Sequence, residues 1–178
     1  EQTWCVYIYR YNGKYLLVKR PSTGLLANQW EFPSIKYIPS NDDKLLLDKG
    51  DDKSEKQQHI LPPYNVRQKM FDKYLKTQLS VDIENTNIFD SNVVVNRRDL
   101  GHKAHIFSHL KHNMYIEEIH IKTDQITNNE MHGSDNDKLV NVKQLNNGQE
   151  YCWVSLNDMK VSNNDNGTIP LTTGMRKV

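Results

Sequence analysis

A chain of 178 residues with 37% apolar and 25% charged residues is long enough to bury a core without disulfides or metal, and it fits a single domain. Its 23 Lys and Arg nearly balance 22 Asp and Glu, for a net charge of +1, so any nucleic-acid affinity must come from a local basic patch. No apolar run approaches the ~18 residues that span a membrane, and no signal peptide is expected.

Cys5 and Cys152 are far apart and make no CxxC pair. That argues against a disulfide framework or an iron–sulfur site in this chain, and for buried thiols. The first residue is Glu1, not Met, and apolar patterning begins at Trp4, as expected of a domain taken from a longer protein.

Trp4 to Arg10 alternates with aromatic and β-branched residues and predicts a strand. Asn12-Gly13 signals a hairpin turn, and Tyr15 to Lys19 the returning strand. Arg20 to Pro33 is irregular but rich in large apolar residues, which predicts an ordered loop packed on the core; Ile35 to Ile38 is a further short strand. The stretch 41–59 is charged and nearly free of aromatics, and reads as a flexible insertion. After Pro62-Pro63, Asn65 can cap a helix with Val66, Met70, Phe71, Tyr74, Leu75 and Leu79 on one face.

Val93 to Asn96 reads as a strand, and Lys103 to Ser108 with Met114 to Lys122 as a hairpin pair. The apolar alternation slips at Glu117-Glu118, where a β-bulge would restore register. A second polar insertion covers 127–138. Leu139 to Val142 and Glu150 to Val154 flank the turn Asn146-Asn147-Gly148, and Ser155 can cap a short helix through Met159. A third insertion covers 163–167, and Thr172 or Thr173 could cap a last helix. The asparagine excess suggests a eukaryotic source of biased composition.

Two motifs are informative. The first is Arg20-Pro21-Ser22-Thr23-Gly24-Leu25-Leu26-Ala27-Asn28-Gln29-Trp30-Glu31-Phe32-Pro33; the second is His105-Ile106-Phe107-Ser108-His109. In this order they resemble the C-terminal domain of MutY-type adenine DNA glycosylases, and Thr172 to Val178 is similar to that family's chain end. The resemblance implies an α+β, Nudix-like mixed β-sheet flanked by helices, formed by residues 1–178 as one domain and interrupted by the three polar insertions. Trp30, Phe32 and Leu25 are expected to pack, and Gly24 to supply a turn. Arg20 either reaches a phosphate or pairs with Glu31.

A working Nudix hydrolase carries several carboxylates on one helix, spaced to hold a divalent metal against a diphosphate. The corresponding helix here offers Arg67-Gln68-Lys69-Met70-Phe71-Asp72, in which one carboxylate of three remains. Magnesium prefers about six oxygen ligands, so pyrophosphohydrolase activity is expected to be lost. Glu117 and Glu118 are adjacent on a strand and point to opposite faces. His102, His105, His109, His112 and His120 raise the question of a metal, but no paired Cys or clustered carboxylate completes a ligand set.

What Phe107, Ser108 and His109 could support is base reading. 8-Oxoguanine differs from guanine in its C8 oxygen and N7 proton, and a serine hydroxyl both donates and accepts, so Ser108 could sense both atoms. Phe107 could wedge at the lesion step. His109 could donate to a phosphate or base edge, and Arg20, Lys103, His105 and Lys111, with His112 nearby, are candidate phosphate contacts. The plain alternative is a hairpin turn with Phe107 in the core and His109 in solvent.

The resemblance implies no catalytic residues in this chain. The base-excising domain, with its catalytic carboxylates and a 4Fe-4S cluster, would lie N-terminal. The implied partners are that domain, double-stranded DNA carrying 8-oxoguanine:adenine mispairs, and repair or replication proteins; the implied location is the nucleus, with the mitochondrion as a second compartment. The rival readings are a Nudix hydrolase of an oxidised nucleotide and a docking module for repair partners.

Overall fold

Strand β1 (Gln2–Tyr11) is buried without a break from Cys5 to Tyr9. A half-exposed strand shows alternation, so unbroken burial marks a strand covered on both faces. The computed structural model, which describes residues 1–24, 26–39, 62–80, 93–107, 110–123 and 142–160, places β1 inside one mixed sheet. Asn12 and Gly13, at φ 45° and 80°, turn the chain into the antiparallel β2 (Lys14–Lys19).

The segment after β2 is not wholly irregular. Trp30 and Glu31 form a short strand, β3, on β2, and Ser34–Lys36 forms β4 on β1. Helix α1 (Tyr64–Leu79) follows. Pro63, not Asn65, stands at its N-cap, and the Pro63 carbonyl accepts the amide protons of Val66 and Arg67 at 3.0 Å each. Asn65 thus lies inside the first turn, because the proline's fixed φ of −56° already sets the helix entrance two residues earlier.

Val93 to Asn96 and Lys103 to Ser108 were expected to be separate strands. The ladder joins them into one long β5 (Val93–Phe107), paired antiparallel with β6 (Leu110–Thr123), which itself runs parallel to β1. The polar run Arg97-Arg98-Asp99 has little strand character of its own; pairing with β6 holds it extended. The bulge expected at Glu117-Glu118 sits instead on the facing strand. Asp99 pairs with Glu117 and Gly101 with Ile116, so Leu100 is the extra residue. On β6 itself no bulge is needed: Met114 and Ile116 pack into one apolar cluster, Ile119 and Ile121 into the other, on opposite faces.

Lys143–Gln144 (β7) pairs with β8 (Glu150–Ser155), which completes the order β5-β6-β1-β2-β8-β7. Of the strand expected at Leu139 to Val142, only Val142 is described, and it precedes β7. Ser155 caps α2 (Leu156–Lys160) as expected: its hydroxyl accepts the Asp158 amide proton at 3.2 Å, and its own amide donates to Asp158 Oδ2 at 3.1 Å.

Two apolar layers result. Cys5, Tyr7, Tyr9, Leu16, Ile119 and Ile121 face α1, where Phe71 and Leu75 are fully buried and Phe71 stacks on Tyr7 at 4.1 Å. Val6, Ile8, Leu17, Ile116, Cys152 and Val154 face the other way and are covered by Trp30 and Phe32, with Met159 of α2 at the margin. Among the described residues the second face is therefore roofed mainly by the loop segment. Both cysteines are buried free thiols. The insertions expected at 41–59, 127–138 and 163–167, the helix expected after Thr172, and Leu25, Ser108 and His109 lie outside the described residues.

Candidate nucleic-acid interface

The β5–β6 hairpin carries the second motif: Phe107 pairs with Leu110 at its tip, and Ser108 and His109, which separate them in the sequence, lie outside the described residues. Which side chains surround that tip is decided by strand alternation and by Leu100. Before the bulge, the odd positions Arg97 and Asp99 share the α1 face with Ile119 and Glu117. The extra residue moves the odd positions to the other face. Lys103 now stands beside Met114 and His105 beside His112.

That face is basic. His112 contacts the Trp4 ring at 5.7 Å, and Lys36 is the cross-strand neighbour of Trp4. Burial, then the nearby His105, Arg20, Lys36 and the amino terminus, hold His112 below the usual imidazole range. Lys36, Lys103, His105 and His112 thus share one side of the hairpin. Lys111 does not join them. It is the neighbour of Ile106 and lies on the α1 side with Asn113, where it pairs with Glu1 at 2.8 Å.

Arg20 resolves toward the pairing alternative: its Nη1 meets Glu31 Oε2 at 2.7 Å. Burial pushes the Glu31 carboxyl up, and the Arg20 hydrogen bond opposes it. Trp30 and Phe32 are 7% and 8% exposed, so they belong to the core. Gly24, at φ 93°, supplies the expected turn. Lys19 and Arg20 also line an open polar cleft of about 540 Å³ with Gln149 and Glu150, but the Lys19–Glu150 pair at 2.6 Å already balances its charge.

A second charged group lies between α1 and the base of the hairpin. Arg67, 4% exposed, forks onto Asp99 at 3.2 and 2.5 Å and lies over the rings of Tyr64 and Tyr115. That fork, first, holds the Asp99 carboxyl below the usual carboxylate range. Arg97 divides its guanidinium between Asp72 of α1 and Glu117 of β6. Glu117 is fully buried; burial pushes its carboxyl up, against Arg97 and Arg67. Glu118 points away and pairs with Arg98 at 2.8 Å.

Asp72 is thus the helix carboxylate that remains, as read from the sequence, and Phe71 is turned to the core. The residues as they stand do not fit the divalent metal of the hydrolases, because a guanidinium already stands between the two carboxylates that could anchor it. Among the described residues no group of three or more His, Cys, Asp or Glu is placed to hold a metal ion. Arg97 and Asp99 had been passed over in the sequence. Two charges at strand spacing, Arg97 and Asp99, ahead of Glu117 in the next strand were the available signal.

A family model described as a NUDIX domain matches residues 4–177. The curated adenine DNA glycosylase of Arabidopsis thaliana is 32% identical over 105 residues, which is 59% of this chain and 13% of that protein. The chain therefore spans only a small part of that relative. Among solved structures, the C-terminal domain of mouse MUTYH, crystallised in complex with human PCNA, superposes with a TM-score of 0.51 at 18% identity, covering 100% of this chain and 84% of that one. At that identity the likeness concerns the fold.

Proposed function

This chain belongs to the NUDIX domain family, and from that premise we propose that it is the lesion-reading domain of an adenine DNA glycosylase. The observation that carries the reading is the basic face formed by Lys36, Lys103, His105 and His112 beside the tip of the β5–β6 hairpin. A neutral chain has to gather its positive charge locally if it is to hold a phosphate backbone. The similarity to the Arabidopsis glycosylase supplies the substrate class.

In this reading Phe107, Ser108 and His109 meet the strand carrying 8-oxoguanine, opposite a misincorporated adenine. Ser108 senses the N7 proton and C8 oxygen together, and the basic face holds the flanking phosphates. This chain breaks no glycosidic bond; a separate N-terminal domain, carrying the 4Fe-4S cluster, excises the adenine. Nuclear repair or replication proteins are further partners in this proposal, with the mitochondrion as a second compartment. The mouse domain on which it superposes was crystallised in complex with human PCNA.

The test is adenine excision by the full-length protein, opposite 8-oxoguanine and opposite guanine, for wild type and for Phe107→Ala/Ser108→Ala/His109→Ala. Ser108→Ala alone should weaken discrimination several-fold, since one neutral hydrogen bond is worth about 0.5–1.5 kcal/mol. The triple variant should lose far more. A folded triple variant that keeps its preference for 8-oxoguanine removes this segment as the reader.

A further inference from the structure

We infer that Arg97 is a built-in cation that keeps a divalent metal from the two carboxylates it bridges, and that Asp72 and Glu117 form a latent site for a hard cation such as Mg²⁺ or Mn²⁺. This goes beyond the lesion-reading role and does not depend on it. Three elements meet here: Asp72 comes from α1, Glu117 from β6 and Arg97 from β5, with side chains 18%, 1% and 15% exposed.

The way the guanidinium is used separates it from an ordinary buried ion pair. Its neighbour Arg67 spends both terminal nitrogens on one carboxylate, Asp99. Arg97 instead gives one nitrogen to Asp72 and the other to Glu117, bridging two carboxylates as a metal ion would.

Glu117 is poorly served by that arrangement. Among the described residues its Oε1 has only the long contacts to Arg97 Nη1 and Tyr64 Oη, both 3.4 Å. Its Oε2 is buried and has no hydrogen-bond partner among the described residues. A buried carboxylate oxygen left in that state is costly unless some cation is near. Burial accordingly pushes the Glu117 carboxyl up, and Arg97 is the foremost group pulling it back. Mg²⁺ is commonly held by only one or two carboxylates with waters completing its shell, so the missing requirement is not a third carboxylate but the removal of the resident charge.

The experiment titrates Mn²⁺ alone into wild type, Arg97→Gln and Arg97→Gln/Asp72→Asn, followed by water-proton relaxation and by thermal unfolding with and without Mn²⁺. Wild type should bind weakly and show no shift in Tm. Arg97→Gln should bind one Mn²⁺ at least about tenfold more tightly, because a full charge at contact distance outweighs a factor of ten at an effective dielectric of about 20. Its Tm should rise with Mn²⁺, and the double variant should lose both effects. Arg97→Lys keeps a cation in place and should behave as wild type.

Tight Mn²⁺ binding by wild type that Asp72→Asn abolishes would overturn the inference. So would a folded Arg97→Gln indifferent to Mn²⁺, or one that remains unfolded at saturating Mn²⁺.

Discussion

The Asp99 carboxylate accepts the amide proton of Gly101 at 2.9 Å and so closes the bulge across Leu100. The same group takes the fork of buried Arg67, so one side chain ties the bend of the hairpin to α1. Asp99→Ala should cost about 3 kcal/mol, the lower end for breaking a buried pair, because Asp99 is itself 40% exposed. Chemical denaturation measures the loss. Amide exchange at 102–106 should quicken more than in the middle of α1. A cost under about 1 kcal/mol would make the fork an ordinary surface pair.

Trp30 and Phe32 roof the face that α1 does not cover. Either residue changed to alanine should cost ~3–5 kcal/mol, with the cavity left between the loop and β8. Thermal unfolding is the measurement. A variant that melts like wild type but no longer binds DNA would move that side chain from the core to the interface.

Local chemistry was legible in the sequence; long-range pairing was not. Asn12-Gly13 and Ser155 with Asp158 declare a turn and a cap within four residues, and both stand where expected. Trp30 and Phe32 declare burial by residue type alone. The joining of β5 was hidden because Arg97-Arg98-Asp99 is held extended by a partner strand some twenty residues on. The apolar slip on β6 was visible but open to two causes. A bulge and a strand buried on both faces give the same pattern, and only the packing of Ile116 against one layer and Ile119 against the other separates them. The motif tip was legible by resemblance, but the face its neighbours occupy depended on one extra residue, Leu100.

His112 gives the interface a pH signature. Its folded value lies below the ordinary imidazole range, burial being the first cause, so the folded chain prefers the neutral ring. Its stabilising contribution is fully present above the ordinary value of about 6.5 and is lost as pH falls through the lowered one. Between about pH 7 and about pH 5, wild type should lose more Tm than His112→Gln. Bound phosphates reverse the preference by favouring the imidazolium. Duplex binding should therefore tighten on acidification more steeply in wild type than in His112→Gln. Equal slopes would place His112 outside the contact.

Lys103 and Lys111 stand on opposite faces of one hairpin and report which face meets the duplex. Lys103 is the neighbour of Met114, on the side of Trp4, His105 and His112; Lys111 is the neighbour of Ile106 and is paired with Glu1 on the α1 side. Each phosphate contact contributes about −0.9 to the slope of log binding constant against log salt. Lys103→Ala should therefore weaken binding to all duplexes alike and reduce the slope by about 1. Lys111→Ala removes a surface ion pair worth at most about 1 kcal/mol and should leave the slope unchanged. Fluorescence anisotropy across a salt series, with and without 8-oxoguanine in the duplex, measures both. If Lys111→Ala flattens the slope and Lys103→Ala does not, the duplex lies on the α1 side of the hairpin. The basic face would then not be the one that holds DNA.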